Sequence, residues 1–144
     1  MKQFLLVGLI LISLRSFSQC PSQEFINGSV TDMKAEVLQT FAINIVSKKD
    51  NKAKNKDLEL FLTKGITYEF VIFSNKEYEG ELVMSLFDSR DHVLACTYNE
   101  TSRVRNKKFR FTCRTTGSYT LSYYPDHNTY CGLILLGSAK KVSK

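Results

Sequence analysis

The sequence predicts an all-β fold, an antiparallel two-sheet β-sandwich of jelly-roll-like form, which leaves room for one short N-terminal helix. Short segments rich in β-branched and aromatic residues recur about every ten residues along most of the chain. Apolar and polar side chains alternate within these segments, as they do in strands that bury one face. Turns containing Gly, Asp, Asn or Ser separate the segments, and no long helical pattern interrupts them. This combination favours a two-sheet sandwich or a barrel.

The region before the sheets is the least regular part of the mature chain. Residues 20–32 are rich in turn-forming side chains. Asp32 suits the N-cap of a short helix over residues 33–38, although a strand also fits those residues. From residue 39 to residue 46 apolar side chains recur at every second position, which predicts the first strand.

Seven further strands are predicted from the same alternation. They cover residues 58–62, 66–73, 81–87, 92–98, 108–113, 118–124 and 131–137. In the strand over 108–113, the residues predicted to face the core are Phe109, Phe111 and Cys113. Their polar neighbours then face water, so this strand has one buried side and one solvated side.

Two stretches of the chain repeat one design. LELFLTKGITYEFVIF (58–73) and FRFTCRTTGSYTLSYY (109–124) each join an alternating run, a polar turn that contains glycine, and a second run that tyrosine leads. We predict two hairpins that turn at Gly65 and Gly117, because glycine adopts the positive φ angles that tight turns need. The tyrosines predicted to face the core are Tyr68 and Tyr119. The repeated design suggests two halves related by a rough pseudo-symmetry.

The first eighteen residues have the composition of a secretory signal. A positive residue, Lys2, precedes an apolar stretch that is too short to span a bilayer, which takes roughly 20 residues. Small residues then suit cleavage before Gln19. We therefore divide the chain into a signal peptide at 1–18, an N-terminal arm at 19–38 and a β-sandwich domain at 39–144. The mature protein is expected to be secreted or periplasmic and to lack a transmembrane segment.

A lipid anchor on Cys20 is the alternative to simple export. A cysteine directly after an apolar leader is the residue to which bacterial lipoproteins attach their lipid. Gln19, however, stands where lipoprotein signals carry Gly, Ala or Ser, so cleavage without an anchor is favoured.

All four cysteines lie in the mature part of the chain. An even number in an exported chain indicates disulfides, and the zinc alternative lacks any C-x-x-C pair. Strand directions put Cys113 and Cys131 at opposite ends of the sandwich, about 20 Å apart for a six-residue strand, which is too far for a bond. We predict that Cys96 bonds Cys131 and that Cys20 bonds Cys113, on the assumption that the N-terminal arm lies at the Cys113 end.

Four sequence motifs carry a resemblance to known proteins. They are L-x-x-G-x-x-Y (62–68), L-x-x-S-L-F-D-S-R-D (82–91), F-x-F-x-C-x-x-x-G-x-Y-x-L (109–121) and C-G-L-x-L-L-G (131–137). Over residues 39–137 the chain resembles a group of small uncharacterised secreted β-sandwich proteins from Bacteroidetes-type bacteria. It is more distantly similar to the pre-peptidase C-terminal type of β-sandwich, an accessory module of secreted bacterial proteins. The resemblance implies a fold and supplies no catalytic residue.

Few features of the sequence support catalysis, metal binding or nucleic-acid binding. Five lysines lie within residues 48–56 without an aromatic side chain that could stack on bases, which favours a solvated loop over a nucleic-acid groove. The D-x-x-D-H turn at 88–92 is interpreted as a polar hairpin tip rather than a metal site. No signature of a hydrolase nucleophile, a zinc protease or a nucleotide-binding loop is present. We predict no cofactor, no metal and no nucleic-acid partner.

The best binding candidate is the aromatic and polar loop before the last strand. Neighbouring strand residues point to opposite faces, so one of Tyr123 and Tyr124 must face outward. An exposed tyrosine can stack on a sugar or anchor a protein partner, whereas the alternative is that these tyrosines cap the core. The predicted binding residues are Tyr124, Asp126, His127, Asn128 and Tyr130.

These observations lead us to expect a non-enzymatic binding or accessory module at the bacterial cell envelope, whose partner is a protein or a glycan. The alternative is a hydrolase of envelope polysaccharide that uses a pair of carboxylates. Glu77, Glu79 and Glu81 cluster in one connecting loop and are the nearest match to such a pair. A cleft that holds two carboxylates would favour the hydrolase.

Overall fold

The computed structural model describes residues 20–46, 56–78, 80–126 and 129–139, so the predicted signal peptide at 1–18 lies outside the described residues. Helix α1 covers Gln23–Asp32. The strands are β1 (Glu36–Val46), β2 (Lys56–Leu62), β3 (Thr67–Ser74), β4 (Leu82–Phe87), β5 (Val93–Cys96), β6 (Tyr98–Asn99), β7 (Val104–Arg105), β8 (Lys108–Thr112), β9 (Gly117–Pro125) and β10 (Thr129–Ser138). Among these residues, no helical segment has both the length and the apolar content that crossing a membrane would require.

Eight of the strands form two four-stranded antiparallel sheets. Sheet I has the strand order β1-β10-β3-β8, and sheet II has the order β2-β9-β4-β5. The chain crosses between the sheets at nearly every connection, and the resulting order is that of a jelly roll. The fold class predicted from the sequence is therefore confirmed. A small hairpin, β6 with β7, is inserted between β5 and β8.

The core lies between the two sheets, where alternate side chains of each strand meet. Strand β9 shows the pattern: Tyr119, Leu121 and Tyr123 are buried, and the residues between them face outward. Strand β8 follows the prediction, because Phe109 and Phe111 pack against the core and the Cys113 side chain just beyond β8 is buried. This alternation is what fixes the register of an antiparallel sandwich.

Strand β10 is buried on both faces. Ile134 and Leu136 point between the sheets, whereas Leu133 and Leu135 contact a second apolar cluster formed with α1 and Met33. Helix α1 therefore covers the outer face of sheet I. A strand that is covered on both sides reads as a continuous apolar run, which explains why residues 131–137 lack the alternation of the other strands.

The helix lies ten residues before its predicted position. Ser22 caps α1 by accepting a hydrogen bond from the Phe25 amide at 3.3 Å, and the helix ends at Asp32. The prediction of a helix over residues 33–38 is wrong, because β1 begins at Glu36. The signal that was missed is the helical spacing of Phe25, Ile26, Val30 and Met33.

The two repeated stretches are arches between the sheets and not hairpins. Strands β2 and β9 belong to sheet II, whereas β3 and β8 belong to sheet I, so each turn carries the chain from one sheet to the other. The arches lie side by side, because the Gly65 amide donates to the Cys113 carbonyl at 2.8 Å and the Cys113 amide donates to the Ile66 carbonyl at 2.9 Å. Gly65 has a φ of 86°, as predicted, whereas Gly117 has no positive φ and simply opens β9.

The tyrosines after the two arches face the core, as predicted from the sequence. The Tyr68 hydroxyl accepts a hydrogen bond from the Thr63 amide at 2.9 Å. The Tyr119 hydroxyl donates to the Thr115 carbonyl at 2.6 Å. Each tyrosine therefore ties its strand back to the arch that precedes it, which gives the pseudo-symmetry of the sequence a structural basis.

The disulfide joins Cys20 to Cys131, whose Cα atoms are 5.8 Å apart, and leaves Cys96 and Cys113 as free thiols. The predicted pairs, Cys20 with Cys113 and Cys96 with Cys131, are therefore wrong. The assumption about the N-terminal arm failed because α1 returns along the outer face of sheet I and brings Cys20 to the Cys131 end. Because its sulfur is in this bond, Cys20 cannot also carry a thioether-linked lipid.

Side-chain direction explains why Cys131 cannot reach Cys96. Cys131 shares the face of β10 that carries Leu133 and Leu135, which contact the helix cluster. Cys96 lies on sheet II, on the other side of the core.

Candidate functional site

Tyr130 does not belong to an accessible binding surface. Its side chain is 0% exposed, and its hydroxyl lies 3.1 Å from the Ser74 hydroxyl and donates to the Phe73 carbonyl at 3.4 Å. Burial raises the pKa of this phenol to about 12. The predicted binding role of Tyr130 is wrong, because the residue lies on the inward-facing side of β10.

Tyr124 and Asp126 are close in the chain but have different surroundings. Tyr124 is half-buried on the outer face of sheet II, opposite Val83. The Asp126 side chain is only 15% exposed and forms an ion pair with Arg105. It also accepts a hydrogen bond from the Glu81 amide at 2.7 Å. His127 and Asn128, the other predicted binding residues, lie outside the described residues.

Arg105 holds together the end of the molecule that contains the predicted loop. Its guanidinium contacts the Glu81 carboxylate at 3.0 Å as well as Asp126, and it lies 5.8 Å from the centre of the Tyr98 ring. Hydrogen bonds to Asp126 and then to Glu81 raise its pKa. The carboxylates of Asp126 and Glu81 therefore bind the protein's own arginine.

A larger cleft lies at the opposite end, beside the two arches. It has a volume of about 600 Å³, compared with about 230 Å³ for the cleft next to Arg105. The β4–β5 turn forms one wall, and β8 with its following arch forms the other. Three arginines line this cleft, Arg90, Arg110 and Arg114. We refer to it below as the arginine cleft.

The β4–β5 turn is held rigidly by Asp88. Its carboxylate accepts hydrogen bonds from the Arg90 amide at 2.8 Å and the His92 amide at 3.0 Å, and its second oxygen lies 3.2 Å from Nδ1 of His92. The His92 amide, above all, lowers the pKa of Asp88. The turn is thus a polar hairpin tip, and no group of three metal-ligand side chains occurs in the described part of the chain.

The three arginines differ in their partners. Arg110 donates from Nε to the buried Glu69 carboxylate at 3.1 Å, and Glu69 also contacts Lys108 at 3.7 Å. Arg90 and Arg114 are exposed and form no ion pair with any residue that the structure describes. Their charges are therefore available to a ligand.

An apolar floor lies between these arginines. Leu94 is 39% exposed, and the half-buried Phe111 packs against Tyr119 with ring centres 5.6 Å apart. A cleft with an apolar floor and a cationic rim can bind a ligand that combines a flat face with negative charge.

Sequence reasoning missed the arginine cleft because its residues come from separate segments. The predicted strand directions do place the turn at 88–92 and the arch at 113–117 at one end of the sandwich. Because each of these two segments contains an arginine, their shared location could have indicated a positively charged surface at that end. Which side of each strand faced the gap could be read only from the structure.

No model of a known protein family matches the chain, and no curated protein is significantly similar to it.

Proposed function

We propose that the protein is a secreted, non-enzymatic β-sandwich module that binds a partner at the bacterial cell envelope, with the arginine cleft as its binding surface. The observation that carries this proposal is a cleft of about 600 Å³ that is lined by arginines, two of which have no ion pair among the described residues. Guanidinium groups suit the recognition of anionic groups, and ligands usually bind in concave regions.

The location of the protein forms part of the proposal. The disulfide between Cys20 and Cys131 supports a location outside the cytoplasm, where oxidising conditions preserve such bonds. Export through the signal at 1–18 would deliver the chain to the periplasm or the medium. The envelope polymers and proteins of the producing cell are then its nearest partners.

The contacts of the carboxylates support binding over hydrolysis. A glycosidase needs two carboxyl groups that face the bond to be cut. Glu81 and Asp126 are neighbours, but Arg105 lies between them and contacts both. Asp88, the carboxylate in the arginine cleft, is held by the backbone of its own turn.

A photo-crosslinking experiment tests the proposed binding surface. Benzoylphenylalanine replaces Ser118, an exposed residue that lines the cleft, and in a control variant it replaces Thr40, an exposed residue on β1. Irradiation of cells that produce each variant should give a discrete crosslinked product from position 118 and none from position 40. Equal labelling from both positions, or none from either, would contradict the proposal.

The hydrolase alternative has its own test. Purified protein is incubated with isolated envelope polysaccharide, and the release of reducing sugar ends is measured for the wild type and for Glu81→Gln. We expect no release from either protein. Release by the wild type that the substitution abolishes would establish the hydrolase instead.

A further inference from the structure

We propose that the arginine cleft binds an acidic glycan, a sugar chain that bears carboxylate groups such as those of uronic acids. This inference rests on the proposed function and specifies its ligand. It is carried by the charge of the cleft, by the apolar floor and by hydroxyl side chains that have no partner within the described residues.

Charge selects an anion. Three guanidinium groups line the cleft against one carboxylate. Because Arg110 is paired with Glu69, the charges free to attract a ligand are those of Arg90 and Arg114. The single carboxylate, Asp88, is already bound by two backbone amides and by His92. A guanidinium presents several N–H donors in one plane, which matches the two oxygens of a carboxylate.

The floor and the hydroxyl groups favour a sugar over an acidic peptide. Leu94 and Phe111 form an apolar surface on which the C–H face of a sugar ring can lie. Ser89, Thr115 and Ser118 also line the cleft, and their side-chain hydroxyls form no hydrogen bond with the described residues. Hydroxyl groups both donate and accept, as the hydroxyls of a sugar do. A volume near 600 Å³ lies within the range of about 300–1,000 Å³ that is usual for ligand clefts.

Calorimetric titration of the disulfide-bonded mature protein tests the ligand class. The acidic probes are trigalacturonate and trimannuronate, and the neutral probes are the corresponding trisaccharides without carboxylates. Triglutamate serves as the acidic peptide, and inorganic phosphate serves as a simple anion. We expect at least one uronate to bind about tenfold or more tightly than its neutral counterpart, and to bind more weakly as the salt concentration rises.

Substitutions localise the binding. Arg90→Gln and Arg114→Gln should each weaken uronate binding roughly tenfold, because each removes a charge-assisted hydrogen bond. Arg103→Gln is the matched control, since Arg103 is exposed, lies in the turn between β6 and β7, and does not line the cleft. The Arg103→Gln variant should bind the uronate as tightly as the wild type does. All three residues are exposed, so thermal unfolding should show an unchanged fold.

Several results would overturn the assignment. Equal affinity for neutral and acidic trisaccharides would exclude charge as the basis of selection. Equal binding of triglutamate would identify an acidic peptide partner, and equal binding of phosphate would reduce the cleft to a simple anion site. If neither uronate binds while position 118 still crosslinks a partner, the ligand class is wrong and the proposed function stands. If neither uronate binds and position 118 gives no crosslinked product, the proposed function is wrong as well.

Discussion

Tyr130 and Gly132 show how a single missing side chain shapes the core. Both residues point between the sheets from β10, and the ring of Tyr130 lies over Gly132. A Cβ atom at position 132 would lie 2.9 Å from Cζ of this ring and would collide with the Tyr130 hydroxyl and the Phe73 carbonyl. The glycine therefore makes room for Tyr130, the largest fully buried side chain among the residues that the structure describes.

We predict that Gly132→Ala lowers the free energy of unfolding by about 3 kcal/mol, because the added methyl group meets backbone that cannot move aside. Chemical denaturation measures the change. Gly28→Ala is the control: nothing lies within 4 Å of its Cβ position, and alanine is the better helix former, so stability should rise by up to about 1 kcal/mol. Equal effects of the two substitutions would show that crowding at Gly132 is unimportant.

Tyr130 also makes stability depend on pH in alkaline solution. Its pKa rises from 10.0 to about 12 on folding. Between these values the unfolded chain releases the phenolic proton while the folded chain retains it, so stability is full below pH 10 and falls as the pH rises towards 12. The loss is about 3 kcal/mol.

Tyr130→Phe should lack this alkaline loss. At neutral pH the variant should be less stable by about 1 kcal/mol, because the hydrogen bond to Ser74 is removed. The stability difference between wild type and variant should then shrink or reverse by pH 12, where equilibrium unfolding of both proteins is compared. A difference that stays constant from pH 8 to pH 12 would contradict the assigned burial of the phenol.

At this scale the sequence predicted the faces of most strand residues but not the environment of the loop before β10. Alternation placed Phe109, Phe111, Tyr68 and Tyr119 correctly, and all four belong to the core between the sheets. It left open whether Tyr123 or Tyr124 faces outward, and it did not reveal that Tyr130 is buried. Burial of Tyr130 depends on the register between β10 and β3, which pairs Gly132 with Ser74.

At the two arches the sequence repeat predicted hairpins, whereas the structure has connections that cross between the sheets. A polar turn that contains glycine predicts a reversal of the chain, but it does not distinguish a hairpin from an arch, which depends on the long-range strand pairing. Here Leu62 pairs with Gly117, and Thr67 pairs with Thr112, so each strand bonds a strand of the other copy. Helix α1 escaped prediction because Asn27 and Gly28 look like turn residues.

The arches offer a direct test of backbone strain. Gly65→Ala should lower the free energy of unfolding by about 1–2 kcal/mol, because its φ of 86° is unfavourable for any residue with a Cβ atom. Gly117→Ala should change it by less than about 0.5 kcal/mol, since this glycine has no positive φ and nothing lies within 4 Å of its Cβ position. Denaturation of the two variants side by side makes the measurement. Similar losses for the two variants would indicate that Gly117, like Gly65, has the positive φ that the sequence repeat predicted.

For the whole molecule, the bond between Cys20 and Cys131 closes a loop with a sequence separation of 111 residues. It attaches α1 to the strand that the helix covers, and it restricts the unfolded chain over most of its length. The sequence indicated disulfide bonding correctly, but it predicted two bonds where the structure has one, and it predicted neither partner, because the pairing depends on the path of a helix that was not predicted. The jelly roll itself was predictable, since it follows from many strands that each alternate clearly.

Replacing both bonded cysteines, Cys20→Ser with Cys131→Ser, should lower the free energy of unfolding by roughly 3–5 kcal/mol. Cys96→Ser should have almost no effect, because Cys96 is exposed and forms no disulfide, and a serine hydroxyl can accept the hydrogen bonds that the Cys96 sulfur accepts from Ser85 and Tyr98. Urea unfolding compares the variants, and a mass map of the unreduced protein should contain the peptide pair that joins Cys20 to Cys131. A map that joins Cys20 to Cys113 would contradict the structure.

The two free thiols, one exposed and one buried, allow local opening of the fold to be measured by chemical labelling. Cys96 is exposed, so an alkylating reagent should modify it in the folded protein. Cys113 lies between the arches, with its thiol donating to the Thr115 carbonyl at 3.1 Å. Alkylation of the buried Cys113 requires the fold to open around it. The ratio of the two labelling rates therefore measures how often that local opening occurs.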